Sequence, residues 1–154
     1  MGHINVVEVS LAPVPKSKCY KNVNFEDDHT FDKRCDYGGE PVDNYEKELK
    51  NVKADLSLIA SVNLRKRTIR FHSKQSVRKA YLKSLRNAFR NHKDLLKEGE
   101  CRNWKLVMDV ERVCGIDYLY LMGFCRNGGD IVEDYLNGKL PQTLYIGAIL
   151  DAHC

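Results

Sequence analysis

Apolar and polar positions along the chain change period several times, and each period predicts an element. Residues 4–11, Ile4-Asn5-Val6-Val7-Glu8-Val9-Ser10-Leu11, concentrate β-branched side chains and predict a strand that Pro13 and Pro15 end. Residues 12–42 are polar and broken and predict a long irregular loop, the kind of segment that often carries function. Asp43-x-x-Glu46 is a capping box that opens a helix near 43–54, with Tyr45, Leu49 and Val52 at helical spacing and Glu46 four residues before Lys50. Leu56 to Val62 and Thr68 to Phe71 read as two strands joined by the basic loop Asn63-Leu64-Arg65-Lys66-Arg67. Ser73 caps a long helix from about 75 to 97, closed by Gly99.

The last third alternates less cleanly. Trp104, Leu106, Met108 and Val110 suit a half-buried strand, with a helix as the competing reading. Residues 116–124 form its expected hairpin partner. Gly128-Gly129 breaks the chain, and Asp130-x-x-Glu133 opens a short helix to Tyr135 or Leu136. Pro141 fits the first position of a last helix carrying Leu144, Ala148 and Ile149. The expected fold class is α+β, a single domain over residues 1–154. A small, mostly antiparallel sheet of four or five strands packs on one long basic amphipathic helix, with two or three shorter helices.

Composition narrows the class. The chain has 154 residues, 43% hydrophobic and 30% charged, which is enough for a packed core and too apolar for wholesale disorder. No run approaches the roughly 18 apolar residues of a membrane span. Met1-Gly2-His3-Ile4-Asn5 lacks the basic start and apolar run of a secretory signal, and Val6 breaks the myristoylation pattern. A cytoplasmic or nuclear protein is expected, neither secreted nor membrane-bound.

Charge carries the sharpest information. Net charge is only +4, yet residues 64–97 hold 12 of the 25 Lys and Arg against one acid, Asp94. With about 100° per residue, Lys79, Lys83, Arg86, Arg90, Lys93 and Lys97 fall on one stripe about 80° wide. Val77, Tyr81, Leu85, Ala88 and Leu95 lie across from it as a docking face. Like charges at i, i+4 repel, so the stripe costs helix stability that a bound polyanion would offset. Solvated faces usually mix both signs. The expected function is therefore non-enzymatic nucleic-acid binding with little sequence readout, and RNA, duplex or structured, is the expected ligand. The stripe contacts phosphates, and Arg65, Lys66, Arg67 and Arg70 clamp from the hairpin. Phe89 and Leu82 flank the stripe, where packing is expected ahead of contact with a sugar or base edge, and no aromatic stacking platform of the RNA-recognition kind is evident. The membrane alternative needs a free apolar face, which the core is expected to claim.

Catalytic and metal chemistry find little support. The six cysteines, Cys19, Cys35, Cys101, Cys114, Cys125 and Cys154, make no C-x-x-C pair and read as reduced thiols. No metal site or cofactor is expected. Scattered sets such as Cys19, His29 and Cys35, or Cys101, Cys114 and Cys125 with His153-Cys154, match no zinc spacing. Asp109 and Glu111 would share one strand face and could hold Mg²⁺ for phosphodiester cleavage, the minor nuclease alternative. Outward carboxylates of an edge hairpin explain them better, Asp27-Asp28-His29 reads as a solvated loop, and His92 falls on the apolar side of the basic helix.

Leu121-x-x-x-Cys125, within Tyr120-Leu121-Met122-Gly123-Phe124-Cys125, resembles the core of the ubiquitin-ligase adaptor box that docks Elongin. Leu140-Pro141 resembles the Leu-Pro element that follows such boxes. The resemblance implies a helix and a partner surface at Leu121, Phe124 and Cys125. In size and composition the chain also resembles small viral accessory proteins. The alternative function is thus an adaptor or inhibitor that antagonises or recruits a host factor, its basic stripe meeting an acidic partner surface.

Overall fold

The computed structural model describes residues 3–19, 40–93, 106, 109–110, 118–121 and 124–153. In chain order its strands are β1 (His3–Ser10), β2 (Glu40–Pro41), β3 (Ala60–Asn63), β4 (Thr68–Phe71), β5 (Tyr118–Leu121), β6 (Phe124–Asn127) and β7 (Thr143–His153). The helices are α1 (Tyr45–Asp55), α2 (Lys74–His92) and α3 (Gly128–Leu136). The sheet order is β3-β4-β7-β1-β5-β6, with β2 also on β7. Every pairing is antiparallel except β1 with β5. The class is α+β, with more strands than the expected four or five.

The centre is the β1–β7 ladder. Val7 faces Ile149 and Val9 faces Ile146, so one strand spends two residues where the other spends three. The extra residue makes a bulge at Gly147-Ala148. Glu8 plugs it: its carboxylate accepts the Ala148 N–H at 3.0 Å. A Cβ at position 147 would stand 2.8 Å from that carboxylate, so any side chain there would push Glu8 out of the bulge. The Gly147 carbonyl accepts the buried Tyr45 hydroxyl at 2.7 Å, which ties α1 to the same spot.

This bulge explains the clearest departure from the sequence expectation. Residues 143–153 form a strand, not a last helix after Pro141. A central strand is buried on both faces, so its apolar run does not alternate. Leu144, Ile146, Ala148, Ile149, Leu150 and Ala152 are all buried. The bulge also brings Leu144, Ile146 and Ile149 into one core cluster, and their uneven spacing imitates a helix.

Around this ladder the core gathers Val7, Val9, Ile69, Phe71 and Leu119 from the sheet, Leu49 and Val52 from α1, and Ile131 and Tyr135 from α3. Phe71 stacks on Tyr135 with centroids 4.5 Å apart. The Tyr135 hydroxyl donates to the His72 carbonyl at 2.8 Å, fixing the corner where β4 leads into α2.

Smaller corrections have local causes. Helix α1 is capped by Asn44, not Asp43; its side chain accepts the Lys47 N–H at 3.0 Å. Asn127 caps α3 in place of Asp130, accepting the Asp130 N–H at 2.9 Å, so Gly128-Gly129 begins the helix and does not break the chain. Leu56–Leu58 is a 3-10 turn, and the strand after it starts only at Ala60. Leu106, Asp109 and Val110 are helical, so the competing reading of 104–110 is the one observed there. The hairpin partner of β5 is β6.

Gly147→Ala should destabilise the protein by about 1–3 kcal/mol, because the methyl displaces the carboxylate and strips the buried Ala148 N–H of its acceptor. Glu8→Ala should cost a similar amount, and the double variant should cost clearly less than the two together. Additive losses in denaturant unfolding would show that the two residues are not coupled.

Candidate nucleic-acid interface

Helix α2 begins where Ser73, in extended backbone, accepts the Ser76 N–H at 3.3 Å. It runs 19 residues and ends at His92, with Lys93 as its C-cap. Val77 and Ala88 are its buried residues, and Ala80, Tyr81 and Leu85 pack partly on the core. Its neighbours are helical as well as sheet: the Tyr81 hydroxyl donates to Glu133 of α3 at 3.2 Å. At the far end His92 Nε2 meets Asp109 Oδ2 at 2.5 Å, with the His92 side chain 12% exposed. His92 is therefore the boundary residue its position on the wheel suggests. Asp109 is engaged by it on a helical segment and does not stand on a strand face; Glu111 lies outside the described residues.

Lys79, Lys83, Arg86, Arg90 and Lys93 are all exposed. None makes an ion pair with another described residue. From Lys79 to Lys93 the row covers about 21 Å of helix axis, with steps of about 5–6 Å. Lys97 lies outside the described residues. Arg78 is exposed beside the row and was not among the expected contacts.

The expected clamp divides. Asn63 accepts the Lys66 N–H at 2.8 Å and shapes the turn, leaving Arg65 and Lys66 exposed at its tip. Arg67 turns inward. It holds a left-handed conformation, φ 51°, that few side chains adopt. Its carbonyl accepts the Ile146 N–H at 2.8 Å. Its guanidinium donates to the Val14 carbonyl at 3.1 Å and to the Cys19 sulfur. Arg70 is exposed on β4, cross-strand from Ser61 and Thr143, on the side away from buried Ile69 and Phe71. The turn lies at the opposite end of β4 from the start of α2. Among the described residues no hydrogen bond or ion pair joins loop and helix.

Cys19 is fully buried under this arginine. Burial raises its thiol pKa above the ordinary value, against the opposing pull of Arg67 and a hydrogen bond with Tyr45. Sequence spacing gave no sign of this contact, because residues 48 positions apart meet only through the tertiary fold. Among the described residues no three His, Cys, Asp or Glu side chains gather to hold a metal. Cys35, Cys101, Cys114, Cys154 and Asp27-Asp28-His29 lie outside the described residues, Cys125 lies on β6 and His153 ends β7.

Leu121 closes β5 against Phe124 of β6 and is buried. The helix implied by the adaptor-box resemblance is therefore absent at Leu121, Phe124 and Cys125; these residues are in strands. No helix among the described residues is long and apolar enough to cross a membrane. Compared with known proteins, the chain matches no family model, no curated protein and no solved structure.

Cys19 should resist iodoacetamide at pH 8 in the native protein and react at the free-thiol rate once unfolded, as read by peptide mass mapping. The folded state holds this proton more tightly than the unfolded chain does. Its contribution to stability is thus full below the unfolded thiol's pKa and is lost as pH rises beyond it. Fast native alkylation would contradict the buried, protonated thiol.

Proposed function

We propose that this protein binds nucleic acid, with RNA as the working ligand, through phosphate contacts from α2 and without catalysing a reaction on it. One observation carries the reading: five exposed cations share one helix face, with no carboxylate paired to them among the described residues. Their axial steps of about 5–6 Å are comparable with phosphate spacing along a strand. Arg86 and Arg90 offer bidentate forks, whereas Lys79, Lys83 and Lys93 act as point charges. Contacts of this kind set position and affinity and carry little base information. Arg65, Lys66 and Arg70 extend the positive field without sharing the row. Arg67 contributes charge from a committed position. Such a role belongs to the cytoplasm or nucleus.

Arg86→Glu with Arg90→Glu tests the assignment. Losing two charge-assisted contacts worth about 1.5 kcal/mol each corresponds to roughly a 100-fold weaker complex. Fluorescence anisotropy with labelled RNA should show that loss while circular dichroism stays native. RNA binding that survives unchanged would remove the stripe from the mechanism. Failure of the unaltered protein to bind RNA or DNA at all would turn attention to an acidic protein surface.

A further inference from the structure

Two large apolar side chains on α2 do not pack where sequence patterning expects. Phe89 is 59% exposed and Leu82 is 43% exposed. They lie seven residues apart, nearly eclipsed on the helix wheel and about 10 Å apart along the axis. Cations stand on adjacent turns around both. Leu82 has Arg78 and Lys79 before it and Arg86 after it; Phe89 has Arg86 before it and Lys93 after it. Helical spacing at i, i+3 and i+4 makes these near neighbours on the surface. An apolar ridge thus runs beside the cationic row, with Arg86 between its two members.

Building on the nucleic-acid reading above, we infer that α2 binds single-stranded nucleic acid, with phosphates along the cationic row and a base stacked on Phe89. A duplex could meet the same cations, but its bases are already stacked and its edges are turned away from an outer helix. It would leave Phe89 in water or against charged phosphate. A single strand has free base faces, and an aromatic ring beside a basic track is the arrangement such strands use. Leu82 gives the neighbouring nucleotide an apolar contact for its sugar or base edge. Arg86 reaches a phosphate between them.

The alternatives fit less well. An interfacial membrane helix needs a broad free apolar face. Here Val77 and Ala88 are buried in the fold, and the exposed apolar ridge is two residues wide at most. Protein interfaces are depleted in lysine at their core, yet Lys79, Lys83 and Lys93 make most of this row.

The full-length protein should be titrated with labelled 12-nucleotide oligouridylate and oligothymidylate, a mixed-sequence RNA strand, and that strand annealed to its complement. Single strands are expected to bind more tightly than the duplex, with the two homopolymers separating RNA from DNA preference. Phe89→Ala should weaken single-strand binding about 5- to 100-fold and leave duplex binding within about twofold. Phe89→Tyr should restore it, because the ring face is retained. The slope of affinity against salt should not change in Phe89→Ala, since no phosphate contact is removed. Phe89 is exposed, so the variant should keep its circular dichroism spectrum and unfolding midpoint.

Equal loss for strand and duplex, or none for either, overturns the stacking inference. The phosphate reading would still stand in both cases if Arg86→Glu with Arg90→Glu abolished binding. Binding to phosphatidylserine vesicles without binding to any oligonucleotide would overturn both.

Discussion

The carboxylate of Glu8 lodged in the β7 bulge is the contact on which the neighbouring geometry depends. It satisfies the Ala148 N–H and occupies the space that a side chain at Gly147 would need. Its neighbours along β7 then serve as anchor points. Gly147 receives the Tyr45 hydroxyl and positions α1. Ile146 donates to the Arg67 carbonyl and holds the β3–β4 turn, while Leu144 pairs with Ile69. The guanidinium of Arg67 then reaches across to Val14 and Cys19. A misplaced bulge would shift the register of β7 and turn its side chains to the wrong faces.

Helix α2 stands at the outer end of this chain of dependencies. Beyond β4 it is fixed by the Tyr135–His72 bond at its root, by Tyr81 to Glu133 midway, and by His92 to Asp109 at its end. Only Val77 and Ala88 are buried. A helix held by so few side chains presents most of its circumference to solvent, and that leaves five cations, Leu82 and Phe89 available together.

What the sequence made legible was local. The β4 strand, the Ser73 cap and the angular stripe of cations follow from composition and spacing within one element. The inward turn of Arg67 was hidden, since its partners Val14 and Cys19 lie about 50 positions away. The β7 strand read as a helix because burial on both faces erases alternation and the bulge breaks period two. At the helix starts, Asn44 and Asn127 outcompeted nearby Asp43 and Asp130, which capping-box spacing had favoured. The exposure of Phe89 could not be read from the wheel. The wheel places it beside the stripe but does not say whether a neighbouring element covers it.

The central claim is that the α2 cations meet phosphates, and the salt dependence of oligouridylate binding tests it most directly. Each phosphate neutralised on a single strand contributes about −0.7 to the slope of log K against log salt, so engagement of the five described cations predicts a slope near −3.5. A slope near zero, or no binding at low salt, would contradict the account.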